Sequence, residues 1–197
     1  MLKAICQFLE IRYLYYLTDW RNLGSILRRG ILCYNLIHSQ GIDHHSFADE
    51  NIQRRRATKS IRGKSAQDYV PLFFHFKPPM LYKLQKSYES HIAYICIDPI
   101  IIAEEGVLFT DKNLACQDCQ IFDKVEELLN LKWDVIKNPY NYDLNARHIR
   151  GAEVLIPEKV ELKWFQKIVV NDTEILKEII RKFPVMIPIE VNPKYYY

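Results

Sequence analysis

The stretch Arg150-Gly151-Ala152-Glu153-Val154-Leu155-Ile156-Pro157 sets one carboxylate at the head of an apolar run closed by proline. A short apolar run bounded by a turn signal reads as a buried strand. An acid entering such a strand is costly to desolvate unless something compensates its charge. These residues alone leave two readings of Glu153 open: an ion pair with Arg147 or Arg150, or chemistry on a cationic substrate.

Working outward, Tyr69–Phe76 reads as a second buried strand, stopped by Pro78-Pro79, and His91–Ile97 as a third, closed by Asp98-Pro99. Tyr13–Leu17 is rich in aromatics, Val107–Thr110 and Ile168–Val170 are shorter strands, and Val185–Val191 is a last one broken by Pro188. Trp20, Leu23, Ile26 and Leu27 share one helical face, with Thr18 or Asp19 as the cap and Gly30 as the stop. Asp123–Leu131 and Thr173–Lys182 are the other expected helices. Short strands mixed with a few helices, without a βαβ rhythm or an internal repeat, predict an α+β fold. The 197 residues fit one domain spanning 1–197.

Hydrophobic residues make up 49% of the chain, enough for a core, and the formal net charge is only +3. The positive charge is uneven: Arg54, Arg55, Arg56, Lys59, Arg62 and Lys64 fall between Gln53 and Lys64 with no acid among them. Such a patch fits phosphate or nucleic acid, and equally a solvated basic loop. It lies in a polar segment, 34–68, that lacks helical or strand periodicity and reads as a long functional loop.

Five cysteines and the single Cys116-Gln117-Asp118-Cys119 pair, with no second pair or nearby His at zinc spacing, predict reduced thiols and no metal. His44-His45 has no carboxylate or thiol at ligand spacing and reads as solvated loop. No run reaches the ~18 apolar residues of a membrane helix, and no secretory signal is seen, so a cytoplasmic protein is expected. Neither GxGxxG nor GxxxxGK[ST] occurs, which disfavours redox use of a dinucleotide and ATP hydrolysis. A fixed carboxylate with a cation cluster instead suits a reaction in which positive charge develops on a sugar while phosphates are held.

An ordered series of pieces sharpens this. It comprises Tyr15-Tyr16-Leu17-Thr18, Asn22-Leu23-Gly24-Ser25-Ile26-Leu27, Gly30-Ile31-Leu32 and Asn35, then Ile52-Gln53 with Arg55-Arg56. Asp68-Tyr69-Val70-Pro71-Leu72-Phe73-Phe74, Pro79-Met80-Leu81-Tyr82, Phe109-Thr110-Asp111-Lys112-Asn113 and Ala152-Glu153-Val154-Leu155 complete it. In this order they resemble the DarT family of ADP-ribosyltransferase toxins, over most of the chain.

The resemblance implies an ADP-ribosyltransferase fold, two small packed sheets around a cleft for NAD. It also implies transfer of ADP-ribose from NAD to a nucleobase of single-stranded DNA. Glu153 would be the catalytic glutamate. Arg56 would bind NAD and assist the reaction by clamping phosphate or stabilising charge, since arginine stays protonated; Arg55 is the second choice in the same arginine run. Tyr16, Leu17, Thr18, Ser25 and Leu32 would line the cofactor site. A substrate-presenting loop would run over 111–152. There Trp133, Tyr140, Tyr142, Arg147, His148 and Arg150 interleave rings and cations as single-stranded nucleic acid requires. Arg54, Lys59 and Arg62 would add backbone contacts.

The chain departs from the family pattern at Tyr16, where a histidine is common, at Gln67 of Gln67-Asp68, where His-Asp is common, and at Gly151, where some members have Gln. NAD as substrate, no metal, a monomer, and a separately encoded macrodomain antitoxin in a toxin–antitoxin or phage-defence setting are further expectations. An RNA-directed relative, an NAD glycohydrolase and a non-catalytic nucleic-acid-binding module are the rivals.

Overall fold

The computed structural model describes residues 1–47, 50–88, 91–141 and 143–197, without the side chains of 50–53 and 88. Helix α1 (Leu2–Phe8) precedes strand β1 (Leu14–Asp19), and α2 (Leu23–Arg29), β2 (Ile31–Leu32), α3 (Tyr34–Ser39) and α4 (Glu50–Thr58) follow. Next come the hairpin β3 (Ser60–Ile61) and β4 (Lys64–Ser65), then β5 (Tyr69–Phe73), α5 (Pro79–Tyr88), β6 (Ile92–Ile97), β7 (Leu108–Thr110) and β8 (Ile121–Phe122). The short helices α6 (Trp133–Ile136) and α7 (Leu144–Ile149) lead into β9 (Glu153–Pro157) and β10 (Lys159–Val160). The chain ends on β11 (Phe165–Val170), α8 (Thr173–Lys182) and β12 (Ile189–Val191).

One eight-stranded sheet runs in the order β12-β11-β6-β1-β5-β9-β7-β8. Its two halves meet weakly, because β1 and β5 pair through the single register position Tyr15↔Phe73. By contrast β1 pairs with β6 from Leu14↔Ile97 to Asp19↔Ile92, and β5 with β9 from Tyr69↔Pro157 to Phe73↔Glu153. The two small packed sheets that the resemblance implies correspond to the halves β12-β11-β6-β1 and β5-β9-β7-β8 of this one sheet, joined at one row. Most neighbours are antiparallel, but β11 and β12 are parallel and α8 connects them, so one βαβ unit exists where none was read.

Side-chain alternation divides the sheet into two faces. Leu14, Leu72, Ile95, Val154, Ile156 and Ile168 belong to the large core that α1, α2 and α8 cover. On the other face lie two smaller clusters. One contains Tyr15, Leu17, Phe73, Tyr94 and Cys96, the other Tyr69, Leu108, Leu114 and Leu155. Glu153, level with Phe73 and two residues before Leu155, stands at the seam between these two clusters.

Segment 34–68 is more structured than its polarity predicts, holding α3, α4 and the β3/β4 hairpin. Helix α4 carries arginines at 54–56 in place of an apolar stripe, so its order comes from contacts rather than amphipathicity. Helix α5 was hidden for another reason. Pro78-Pro79 reads as a terminator, yet Pro79 is the first helical residue, where its missing N–H is not needed. Asp123–Leu131 is a 3-10 turn over Val125–Asn130 rather than an α-helix. Gly30 has φ +85°, and a Cβ there would lie 2.4 Å from the Val160 carbonyl oxygen, so only glycine lets β2 approach β10.

Candidate active site

Glu153 opens β9 and is 2% exposed, and Arg56, in the last turn of α4, donates from Nη1 to its Oε2 at 2.9 Å. The partner of the buried carboxylate is therefore the arginine from the basic segment, not Arg147 or Arg150. The Arg56 side chain is 12% exposed, and its Nη2 is buried without a hydrogen-bond partner among the described residues. A charged donor left unsatisfied beside a paired carboxylate fits an incoming acceptor such as a phosphate or carbonyl oxygen.

Both residues are fixed from behind. The Glu153 N–H donates to Thr110 Oγ1 at 2.9 Å, and that hydroxyl donates back to the Glu153 carbonyl at 3.3 Å. Just past Arg56, the Lys59 ammonium donates to the carbonyls of Leu114 and of Cys116, the latter at 3.0 Å, locking the end of α4 to the 113–119 turn. Asn35 Nδ2 donates to Asp68 Oδ1 at 2.6 Å while Ser65 N–H donates to Oδ2 at 2.9 Å, tying α3 to the start of β5. Asn22 exchanges two 2.9 Å hydrogen bonds with the His45 backbone and so straps segment 42–47 to the end of β1.

The sequence-predicted residues divide into several groups. Leu17 is buried in the cluster that contains Phe73, on the Glu153 face. Tyr16 and Thr18 alternate to the other face: Tyr16 packs against the large core, where burial pushes its phenol up to about 12, and Thr18 accepts from Asn22 Nδ2 at 3.2 Å. Ser25 on α2 and Leu32 on β2 are partly exposed, and Arg54 and Arg55 are exposed on α4. The side chains of Ile52 and Gln53, and Tyr142 altogether, lie outside the described residues.

Arg62 pairs with Asp123 at 2.7 Å on the surface, while Arg147 and His148 are exposed on α7. Arg150 is more enclosed than these neighbours on α7. It is 5% exposed and donates to the Asn141 carbonyl at 2.9 Å and to Tyr197 Oη at 2.8 Å. Trp133 likewise packs on Phe74, with ring centroids 5.1 Å apart, and donates to the Leu128 carbonyl at 2.7 Å, which leaves it a structural ring. Gly151 has a steric reason, since a Cβ there would meet Asn113 Cβ at 2.9 Å.

Thr110 and Asn22 are supports that sequence reasoning placed within motif pieces but gave no role. A lone threonine ending an apolar strand was the available signal for the first. Among the described residues no group of three metal-ligating side chains exists, and no helix is long and apolar enough to cross a membrane.

His75, just past β5, reports the charge at this end of the sheet. Burial, followed by the positive charges of Arg150, Lys77 and Lys137, lowers its pKa to about 4. Its Nδ1 accepts from Lys77 N–H at 3.1 Å and its ring stacks on Phe76 at 4.3 Å, so the folded state holds it neutral. Between pH ~6.5 and ~4 the unfolded chain binds a proton that the native state refuses, so stability falls as pH falls through that window, by at most roughly 3 kcal/mol. His75→Phe keeps the stacked ring and removes the titration. Urea denaturation at pH 7 and pH 4.5 is expected to show a smaller acid loss for the variant. An identical loss would exclude His75 as the source.

A sequence model of the DarT family, described as "ssDNA thymidine ADP-ribosyltransferase, DarT", matches residues 15–197. The chain belongs to the DarT family. A DNA ADP-ribosyl transferase of Thermus aquaticus is 31% identical over 93% of this chain and 88% of its own length. A Thermosipho africanus protein, a DNA ADP-ribosyl transferase fused to a DNA ADP-ribosyl glycohydrolase, is 30% identical over 87% of this chain. This chain spans only 46% of that fusion.

The structure of Thermus sp. 2.9 DarT in complex with ADP-ribosylated ssDNA superposes with a TM-score of 0.84 and 25% identity. The match covers 95% of this chain and 97% of that one. The same Thermus protein in complex with NAD+ gives a TM-score of 0.78 at 23% identity over 95% and 98% of the two chains, a likeness of fold. In this chain the Arg56–Glu153 pair lies at the seam of the two half-sheets.

Proposed function

We propose that this chain transfers ADP-ribose from NAD to thymidine in single-stranded DNA. The observation that carries the reading is the buried Arg56–Glu153 pair, whose arginine keeps one donor unspent, within a chain of the DarT family. When the glycosidic bond of NAD breaks, nicotinamide leaves neutral and positive charge appears on the ribose. Glu153, already ionised and fixed by β9 and Thr110, stabilises that charge without reorganising. Thymidine has one ring nitrogen that carries a proton, N3. Its attack on the ribose carbon forms the new N–C bond, and Glu153 accepts the proton.

Arg56 orients the carboxylate through Nη1 and offers Nη2 to the phosphates or carbonyl oxygens of the substrate. It does not act as a base, because guanidinium stays protonated. Leu17 lines the cofactor from the Glu153 face. A single strand is the cheaper acceptor, since its base need not be unstacked and unpaired. A separate macrodomain hydrolase that removes the modification is the matching partner, supported by the glycohydrolase fused to the Thermosipho relative. The protein would then be the toxin of a toxin–antitoxin pair.

Incubation with labelled NAD and thymidine-containing DNA or RNA oligonucleotides tests the reading. Label is expected on DNA, at thymidine, with stoichiometric release of nicotinamide. Label on RNA alone overturns the target, and free ADP-ribose with no labelled nucleic acid makes the protein a glycohydrolase.

A further inference from the structure

Beside the catalytic row, the chain leaves β5 at Phe73 and bends through to Lys77, and Arg150 precedes Glu153 by three residues. The two residues are tied together there, because Arg150 Nη2 donates to the Lys77 backbone carbonyl at 3.4 Å. Both are buried, Lys77 to 8% exposure and Arg150 to 5%, and among the described residues no carboxylate pairs with either. Arg150 Nε is also buried without a partner among those residues. Two buried cations without a countercharge among the described residues are costly unless an anion completes them.

Tyrosine rings surround this positive centre. The Lys77 ammonium lies 5.1 Å from the Tyr197 ring and 5.7 Å from the Tyr140 ring. Tyr197 meets Tyr82 edge to face at 5.8 Å, and Lys86 covers Tyr82 at 4.5 Å. Tyr82 is 53% and Tyr140 62% exposed, unusual for large rings held in an ordered array. Helix α5, which carries Tyr82, has Lys83 and Lys86 and no acid between Pro79 and Tyr88.

We infer that this ledge seats the single-stranded DNA flanking the reacting nucleotide, with a phosphate at Lys77 and Arg150 and neighbouring bases stacked on Tyr82 and Tyr140. The inference rests on the function proposed above and extends it to the residues that hold the strand outside the active site. Stacking on tyrosine with cations between is sequence-tolerant, so the ledge adds affinity and leaves base choice to the site itself.

The test measures fluorescence anisotropy of a labelled oligothymidylate of about 15 nucleotides, within the length one binding surface covers. Tyr82→Ala/Tyr140→Ala, both at exposed positions, is expected to keep the wild-type melting temperature and weaken binding by roughly 10- to 100-fold. Lys77→Met is expected to flatten the dependence of log K on log salt by about 0.7, the contribution of one phosphate on a single strand. Unchanged affinity in the tyrosine variant, or an unchanged salt slope in a folded Lys77→Met, overturns the ledge. Wild-type protein that binds the oligonucleotide through these residues but never labels it would refute the proposed function and leave the ledge standing.

Discussion

Glu153→Gln is expected to reduce ADP-ribose transfer to DNA by about 1000-fold or more, while NAD affinity changes by only a few-fold. The carboxylate is 2% exposed, fixed by the Thr110 hydroxyl and paired at 2.9 Å, so its charge is already in place before the ribose becomes cationic. Removing a single preorganised donor from such a site costs about 100- to 1000-fold, and losing a full charge aimed at an oxocarbenium ion costs at least as much. Glutamine keeps the size of the side chain and can still accept from Arg56, so the pocket shape survives. Label transfer at saturating NAD and calorimetric NAD binding without DNA separate the two effects. A variant that keeps activity within a few-fold of wild type would remove Glu153 from the mechanism.

Arg56→Met is expected to do more damage to stability than to fold. It leaves the Glu153 carboxylate buried without its countercharge, and breaking one side of a buried pair costs about 3–5 kcal/mol. For a chain of this size each kcal/mol lowers the melting temperature by ~2–4 °C, so a fall of roughly 6–20 °C is expected. NAD binding should weaken by about 10- to 100-fold as the donor to its oxygens is lost. The double variant Glu153→Gln/Arg56→Met tests the coupling, because removing both charges restores much of the lost stability. Arg56→Met with wild-type stability and unchanged NAD affinity would transfer the cofactor role to the exposed Arg55.

The site was legible in its parts and not in its connections. Glu153 announced itself as an acid in an apolar run, and the arginines as a basic cluster, but they lie 97 positions apart. Neither periodicity nor charge reports which arginine reaches the strand. Local pattern also did not report the burial of Arg150, a cation next to tyrosines that the fold places beside Tyr197 at 5% exposure. The same reading of rings as stacking platforms did not hold at Trp133, whose indole closes the core against Phe74. For Tyr16-Leu17-Thr18 the sequence names a contiguous segment, whereas the pleat sends neighbouring side chains to opposite faces.

The sequence by itself determined the strands whose apolar runs end in turn signals, the amphipathic helix Thr173–Lys182, and the stop at Gly30. These depend on side-chain burial, capping and a positive φ, which are local quantities. Its ordered motifs also identified the family. Tertiary structure decided the rest. It brought Arg56, on a helix without an apolar stripe, to Glu153, made Pro79 a helix start, and joined two half-sheets at the single row Tyr15–Phe73–Glu153. An ion pair between distant segments and a sheet seam arise from long-range packing, and they set the charge and access of the site only once the chain has closed around them.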